Sequence, residues 1–236
     1  MTKLIPTGIE GLDLILGGGL MPASTCLITG APGTGKSVLC MQYLLEGARK
    51  FNEPGIYITV EETADDVREY CKRLKMDTTE LEESGRLTIL EQPILRGSVL
   101  SAEFIGEMVK TQNVRRLVLD SLTLFKYYHK EDPVQLRTDI LRFLTKMREL
   151  GVSLFVTSER STTNMDLIEY QDTDYLFQSI IILLKPRLKS SFSRCLTIAK
   201  MRGVNHSLSI HPFTIGDGGI TVQPETSFVQ GDGEVQ

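Results

Sequence analysis

The chain has 236 residues, 41% of them hydrophobic and 24% charged, with a formal net charge of −4. That length buries one sizeable core, and that balance excludes a disordered chain. The acidic balance gives no general attraction to nucleic acid or anionic membranes, and no apolar run approaches the ~18 residues of a membrane span.

In chain order, "MTKLIPTGIEG" lacks the long apolar region of a signal peptide. Short β-rich apolar runs then alternate with helical patterns. Strands are expected at "TCLITG" (25–30), "GIYITV" (55–60), "LTILE" (87–91), "RLVLDS" (116–121) and "VSLFVTS" (152–158). Helices are expected between them, over roughly 37–49, 64–75, 98–112 and 134–150. This alternation predicts an α/β fold with a mainly parallel twisted sheet flanked by helices. The rhythm changes at "SIIILLK" (179–185) and "RCLTIAKMR" (194–202). Their connector is too short for a crossover helix, so an antiparallel C-terminal hairpin is expected. Residues 216–222 offer one more strand. One domain over 1–223 and a polar, flexible tail over 224–236 complete the expectation. Cys26, Cys40, Cys71 and Cys195 are scattered, with no CxxC or Cys/His spacing. That argues against a zinc site or a disulfide framework, and for reduced thiols in a cytoplasmic protein.

"GAPGTGKS" at 30–37 fits G-x-x-x-x-G-K-[ST], after an expected strand and at the start of an expected helix. Gly30, Ala31, Pro32, Gly33, Thr34 and Gly35 make a loop whose amides face phosphate oxygens, and the helix start through Val38 adds partial positive charge. Lys36 would neutralise the β- and γ-phosphates of ATP, and the Ser37 hydroxyl would ligate Mg2+. Asp120 closes "RRLVLD" as either a second magnesium contact or a cap on the next helix. Glu61 and Glu62 follow "GIYITV" at the strand edge where ligands bind in parallel sheets. A carboxylate there can orient water for attack on the γ-phosphate, and extended backbone points the two to opposite faces. Both also suit the first turn of a helix beginning near Ala64, where the dipole favours acids.

In "IAKMRGVNHS" (198–207) an apolar strand ends in Lys200 and Arg202. Strand alternation places Leu196, Ile198, Lys200 and Arg202 on one face, which suggests cations delivered to a specific spot. The plainer alternative is a strand end that reaches solvent.

"PTGIEGLDLILGGGL" (6–20), the phosphate loop, "TVEET" (59–63), "LVLDS" (117–121), "KMRG" (200–203) and "HPFTIGDGGI" (211–220) together resemble the KaiC-like branch of the RecA superfamily of P-loop ATPases. The resemblance runs in order through nearly the whole chain. It implies a RecA-like fold, catalytic Glu61 and Glu62, magnesium at Ser37, a Walker-type acid at Asp120, and a hexameric ring with nucleotide between subunits. It also puts the 179–202 hairpin at the far side of the sheet, about four strands or ~19 Å from the loop. Lys200, Met201 and Arg202 would then serve a neighbouring subunit's nucleotide, with Arg202 as an arginine finger in a head-to-tail interface. His206 follows closely, either near that nucleotide or as a plain loop histidine.

The chain holds one such unit, whereas circadian members of the family hold two. Their self-phosphorylated Ser-Thr pair aligns with Tyr175 and Leu176, so self-phosphorylation in that manner is not expected. Thr173, Ser179 and "STT" at 161–163 are the hydroxyls nearby. The resulting expectation is magnesium-dependent ATP hydrolysis at subunit interfaces, slow and regulatory, with an unidentified protein partner. One rival is a RadA-paralogue-like ATPase of DNA repair. Against it, residues 160–178 carry Asp166, Glu169, Asp172 and Asp174 with Arg160 alone, which should repel a phosphate backbone. Lys185, Arg187, Lys189 and Arg194 form the basic cluster at the hairpin tip. The other rival, a non-hydrolysing assembly module, needs the same nucleotide site.

Overall fold

The computed structural model describes residues 3–92, 102–129, 131–160, 168–188 and 191–227. The elements are α1 (Leu12–Ile15), β1 (Thr25–Gly30), α2 (Lys36–Lys50), β2 (Gly55–Thr59), α3 (Ala64–Arg73), α4 (Thr79–Glu83) and β3 (Leu87–Glu91). Next come α5 (Ala102–Thr111), β4 (Arg116–Asp120), α6 (Thr123–Tyr128), α7 (Pro133–Glu149), β5 (Ser153–Glu159) and a 3-10 turn (Asp172–Leu176). The chain continues through β6 (Ser179–Leu184), β7 (Arg187–Leu188), β8 (Ser191–Phe192), β9 (Cys195–Met201), β10 (Ile210–Gly216) and β11 (Gly219–Val222).

Residues of β1, β2 and β6 are buried throughout, as strands covered on both faces must be. They belong to a nine-stranded sheet ordered β11-β10-β9-β6-β1-β5-β4-β2-β3. From β6 to β3 every pairing is parallel, and β9, β10 and β11 add antiparallel strands, as expected. One core layer lies between the sheet and α2 and α3, the other between the sheet and α5, α6 and α7. All four cysteines are buried and unpaired. Among the described residues no helix is long and apolar enough to cross a membrane. Residues 98–101 of the expected third helix and 228–236 of the expected tail lie outside the described residues. Within that tail, the Thr226 carbonyl meets the His211 ring at 3.0 Å.

Periodicity missed the short helices α1, α4 and α6, which span too little chain to show a face. It also missed β10, where Pro212 argues against a strand even though its partner across the ladder is Cys195.

Two expectations about the C-terminal hairpin fail. First, β9 lies two strands from β1, not four. It runs antiparallel to β6, so Lys200 sits opposite Ile180, itself level with Leu27 of β1. The basic end of β9 therefore leaves the sheet at the edge opposite the phosphate loop. Two strand spacings sideways and three residues along make about 14 Å from Lys200 to Gly30. Second, Lys200 and Arg202 do not share a face with Leu196 and Ile198. The register shifts between Ile180 and Ile181, and Ala199 is the extra residue of a bulge. Leu196, Ile198 and Met201 enter the core on the α2 side, whereas Cys195 and Ala199 face the α7 side. Beyond the bulge, parity is reversed and the cations take the α7 side.

Arg116, at the start of β4, is wholly buried. It pairs with Glu53 at 2.6 Å and donates to the carbonyls of Pro6 (2.7 Å), Thr7 (2.9 Å) and Tyr43 (2.8 Å). Its guanidinium also lies 4.5 Å from the Tyr43 ring centre, and that ring stacks on Phe155. Gly47 gives it room, since a Cβ there would lie 2.4 Å from the Arg116 side chain. Helix propensity alone favours Gly47→Ala by about 1 kcal/mol. Overpacking against a fixed guanidinium costs about 1–3 kcal/mol, so the net effect should be destabilising. A thermal melt of Gly47→Ala should show a lower Tm; a rise would mean that Arg116 is free to move.

Candidate functional site

The phosphate loop leaves β1 between β6 and β5. Gly33 and Gly35 adopt positive φ (73° and 109°), which lets the chain curl into α2. A Cβ at Gly35 would also lie 2.8 Å from Ile215 Cδ1 of β10, which would have to move aside. Gln42 of α2 binds both backbone groups of Ile220, which holds β11 and its partner β10 against the loop. Pro32 and Gly33 are exposed; Ala31, Gly35, Lys36, Ser37 and Val38 are half-buried; Thr34 is buried. Thr34 fastens the loop by donating to the Ala31 carbonyl.

The loop suits a phosphate. At the N-cap of α2, Gly35 contributes no side-chain acceptor, and no acid stands in the first turn, so the opening amides are free for an anion. Lys36 Nζ donates to the carbonyls of Gly30 (3.0 Å) and Ala31 (3.2 Å), neutral acceptors that it can exchange for phosphate oxygens.

Because the strands are parallel, β2, β4 and β5 end at this same edge. Asp120 lies two strands from β1, with Thr157 of β5 donating to one carboxylate oxygen and Tyr57 to the other, the latter at 2.5 Å. Burial, with Asp120 beside it, pushes the Tyr57 phenol well above its usual range and keeps it a donor. Tyr70 of α3 meets the Tyr57 hydroxyl at 3.5 Å. Asp120 is therefore held from two sides and caps no helix; the α6 cap position is Leu122.

Glu61 and Glu62 are exposed on the turn between β2 and α3. Helix α3 does not need them. Thr63 is its N-cap and forms a reciprocal capping box with Asp66, while the Ala64 amide donates to Glu91. The first-turn acids are Asp65 and Asp66, so both glutamates precede the helix. Glu61 accepts from Ser121, the residue after Asp120, at 3.4 Å. The Glu62 carboxyl is raised by partial desolvation, then by Asp120, Asp66 and Glu61. A carboxylate with raised affinity for protons beside a held aspartate is suited to proton transfer.

In the sequence Tyr57 and Thr157 look like ordinary strand residues, and nothing there marks them as partners of Asp120. The motifs also leave out Glu159, whose register partner is Gly30 itself. A strand ending in a charged residue beside the loop-bearing strand was the available signal.

The cations are elsewhere. Lys200 Nζ donates to the Asp174 carbonyl (3.2 Å), and Arg202 Nη2 to that of Tyr175 (3.3 Å). Desolvation and Arg202 lower the Lys200 pKa, against the opposing pull of Asp174. Met201 is buried between them, and His206 Nδ1 lies 3.2 Å from the Val204 carbonyl. Among the described residues, none of these four hydrogen-bonds to the phosphate loop. In the acidic segment, Asp174 is neutralised by Arg160, and Asp166 lies outside the described residues, as do residues 161–163. Thr173 is in the 3-10 turn and Ser179 is buried at the start of β6. Lys185, Arg187 and Arg194 are exposed at the hairpin; Lys189 lies outside the described residues.

A family model described as "ATPase: KaiC" matches residues 5–227. The circadian clock oscillator protein KaiC of Prochlorococcus marinus is 32% identical over 228 residues, covering 92% of this chain and 45% of that protein. KaiC of Synechococcus elongatus is likewise 32% identical over 228 residues, covering 92% of this chain and 44% of that protein. The chain thus spans less than half the length of these curated relatives. A solved KaiC-like protein from the archaeon Pyrococcus horikoshii OT3 matches with a TM-score of 0.83 at 30% identity, covering 95% of this chain and all of that one. The sheet order and these matches identify a RecA-like P-loop fold.

Tyr57→Phe isolates the hold on Asp120. Were Asp120 the magnesium contact expected from the sequence, loss of such an outer partner would weaken metal affinity about 10- to 100-fold. ATP binding to Tyr57→Phe should therefore need about 10-fold or more extra magnesium, with magnesium-free binding unchanged. Unchanged magnesium dependence would place Asp120 away from the metal.

Proposed function

The chain belongs to the KaiC family of ATPases, and from that premise we propose that it hydrolyses magnesium-bound ATP at an interface between copies of itself. The observation that carries this is the convergence, at one sheet edge, of uncapped α2 amides, Lys36, Asp120 and the glutamate pair. Backbone N–H groups between Gly30 and Val38, Pro32 having none, and Lys36 would hold the phosphates, and Ser37 and Asp120 would hold Mg2+. The metal, when bound, offsets charge on the β- and γ-phosphate oxygens. Glu61 and Glu62 orient water and accept its proton; both precede α3 and neither is consumed in capping it.

The reading calls for a second cation, besides Lys36, at the γ-phosphate. Lys200 and Arg202 leave the sheet at its opposite edge, which supports their serving another subunit's site. Loop on one edge and cations on the other make a heterologous contact, which closes into a ring where the rotation permits. The proposed ring is hexameric, as the resemblance implies, with Met201 and His206 beside the neighbour's nucleotide. A slow regulatory role in the cytoplasm with a protein partner is the physiological reading. Self-phosphorylation in the circadian manner is not part of it, since Tyr175 and Leu176 occupy the position of the Ser-Thr pair.

Lys36→Ala should abolish ATP binding. Glu61→Gln and Glu62→Gln should bind ATP yet lose about 10²- to 10⁴-fold in turnover at whichever residue is the base. Full turnover in the double variant would leave a binding module. Mixing Lys36→Ala with Arg202→Ala subunits should restore activity above either parent, because one supplies an intact finger and the other an intact site. Absence of rescue would remove the shared-site reading.

A further inference from the structure

The cations are held by a small platform whose anchoring begins at the phosphate loop. Arg160 directly follows β5, and its backbone N–H donates to the Gly30 carbonyl at 3.2 Å. Its guanidinium donates to the Glu169 carbonyl at 2.7 Å and pairs with Asp174. Both partners are buried, Arg160 to 8% exposure and Asp174 to 1%. The Asp174 carboxylate also accepts from the Gln171 amide at 2.9 Å, which closes the turn over Asp172–Leu176. The far side of that turn meets β9. Asp174 and Tyr175 present the carbonyls that hold Lys200 and Arg202, and the Arg202 amide donates to Gln178 at 3.0 Å. Tyr170 adds a hydroxyl donation to the Ala199 carbonyl at 2.8 Å, at the bulge itself.

We infer that the buried Arg160–Asp174 pair positions the Lys200 and Arg202 head groups that a subunit lends to its neighbour. This rests on the shared-site reading above. A free Lys or Arg side chain at a strand end retains about 2 kcal/mol of rotamer entropy, which two neutral carbonyls restrain only if they are themselves fixed. A buried ion pair is weak evidence of stability but fixes mutual geometry well. Here it fixes the turn against Gly30, so the lent cations keep a set relation to their own subunit's phosphate loop. Arg160 and Asp174 act through the finger and touch no substrate; they are positioning residues.

The test is a complementation assay on the full chain with Arg160→Met combined with Asp174→Leu, which removes the pair without leaving a buried charge. Its affinity for a fluorescent ATP analogue should stay near wild type. Its own turnover should fall about 100-fold, as small misplacements of catalytic groups do. Lys36→Ala subunits, which bring an intact finger, should restore activity to it; Arg202→Ala subunits, which need one, should not. Rescue by both, rescue by neither, or wild-type turnover of the double variant alone would overturn the inference. Mixing Lys36→Ala with Arg202→Ala is the control: if that mixture is inactive, the shared site itself fails and the positioning role with it. If the double variant does not fold, Asp174→Asn, which removes the ionic partner of Arg160 and leaves the Lys200 and Arg202 side chains in place, should show the same asymmetry, and its absence overturns the inference.

Discussion

A single buried guanidinium ties the strand that carries Asp120 to the helix that begins at the phosphate loop. Arg116 begins the strand that ends in Asp120, and it binds the Tyr43 carbonyl of the helix that begins at Lys36. It further secures the N-terminal segment through Pro6 and Thr7. Asp13 turns that segment by accepting from the Thr7 and Gly8 amides. A buried arginine is costly unless its donors are matched, and here an acid and three carbonyls match four of its five N–H groups. Strand, helix and N-terminal turn are thus fixed to one another well away from the loop.

Much of this was legible because the signals are local. Residues 25–30 and 87–91 coincide with β1 and β3, since a buried parallel strand is a short apolar run bounded by turn residues. The phosphate loop is legible for a similar reason: glycine spacing encodes backbone shape directly. What sequence hid was relational. Tyr57 becomes notable only when its hydroxyl meets Asp120 on the neighbouring strand, two residues beyond its own register partner Val118, a relation that no pattern of 2 or 3.6 residues reveals. Asp174 counted as a repelling acid until Arg160 neutralised it.

The strand 194–202 shows both outcomes at once. Its existence and antiparallel sense followed from the short connector. Its position in the sheet and the direction of its cations did not. A single bulge at Ala199 reverses which side every later residue faces, and bulges leave no reliable mark in a lone sequence. The reversal matters, because it brings Lys200 and Arg202 to the side where the Asp172–Leu176 turn can hold them.

The antiparallel run of β9 has an arithmetic consequence for assembly. On the proposed reading each chain carries one acceptor end and one donor end, so an open row of subunits always leaves one acceptor and one donor unmatched. Two chains complete one site and three complete two; only closure completes as many sites as there are chains. Specific activity would then depend on concentration with an order above one, and it would level off when the row meets its own tail. A strand direction in one monomer becomes a counting rule for the whole assembly.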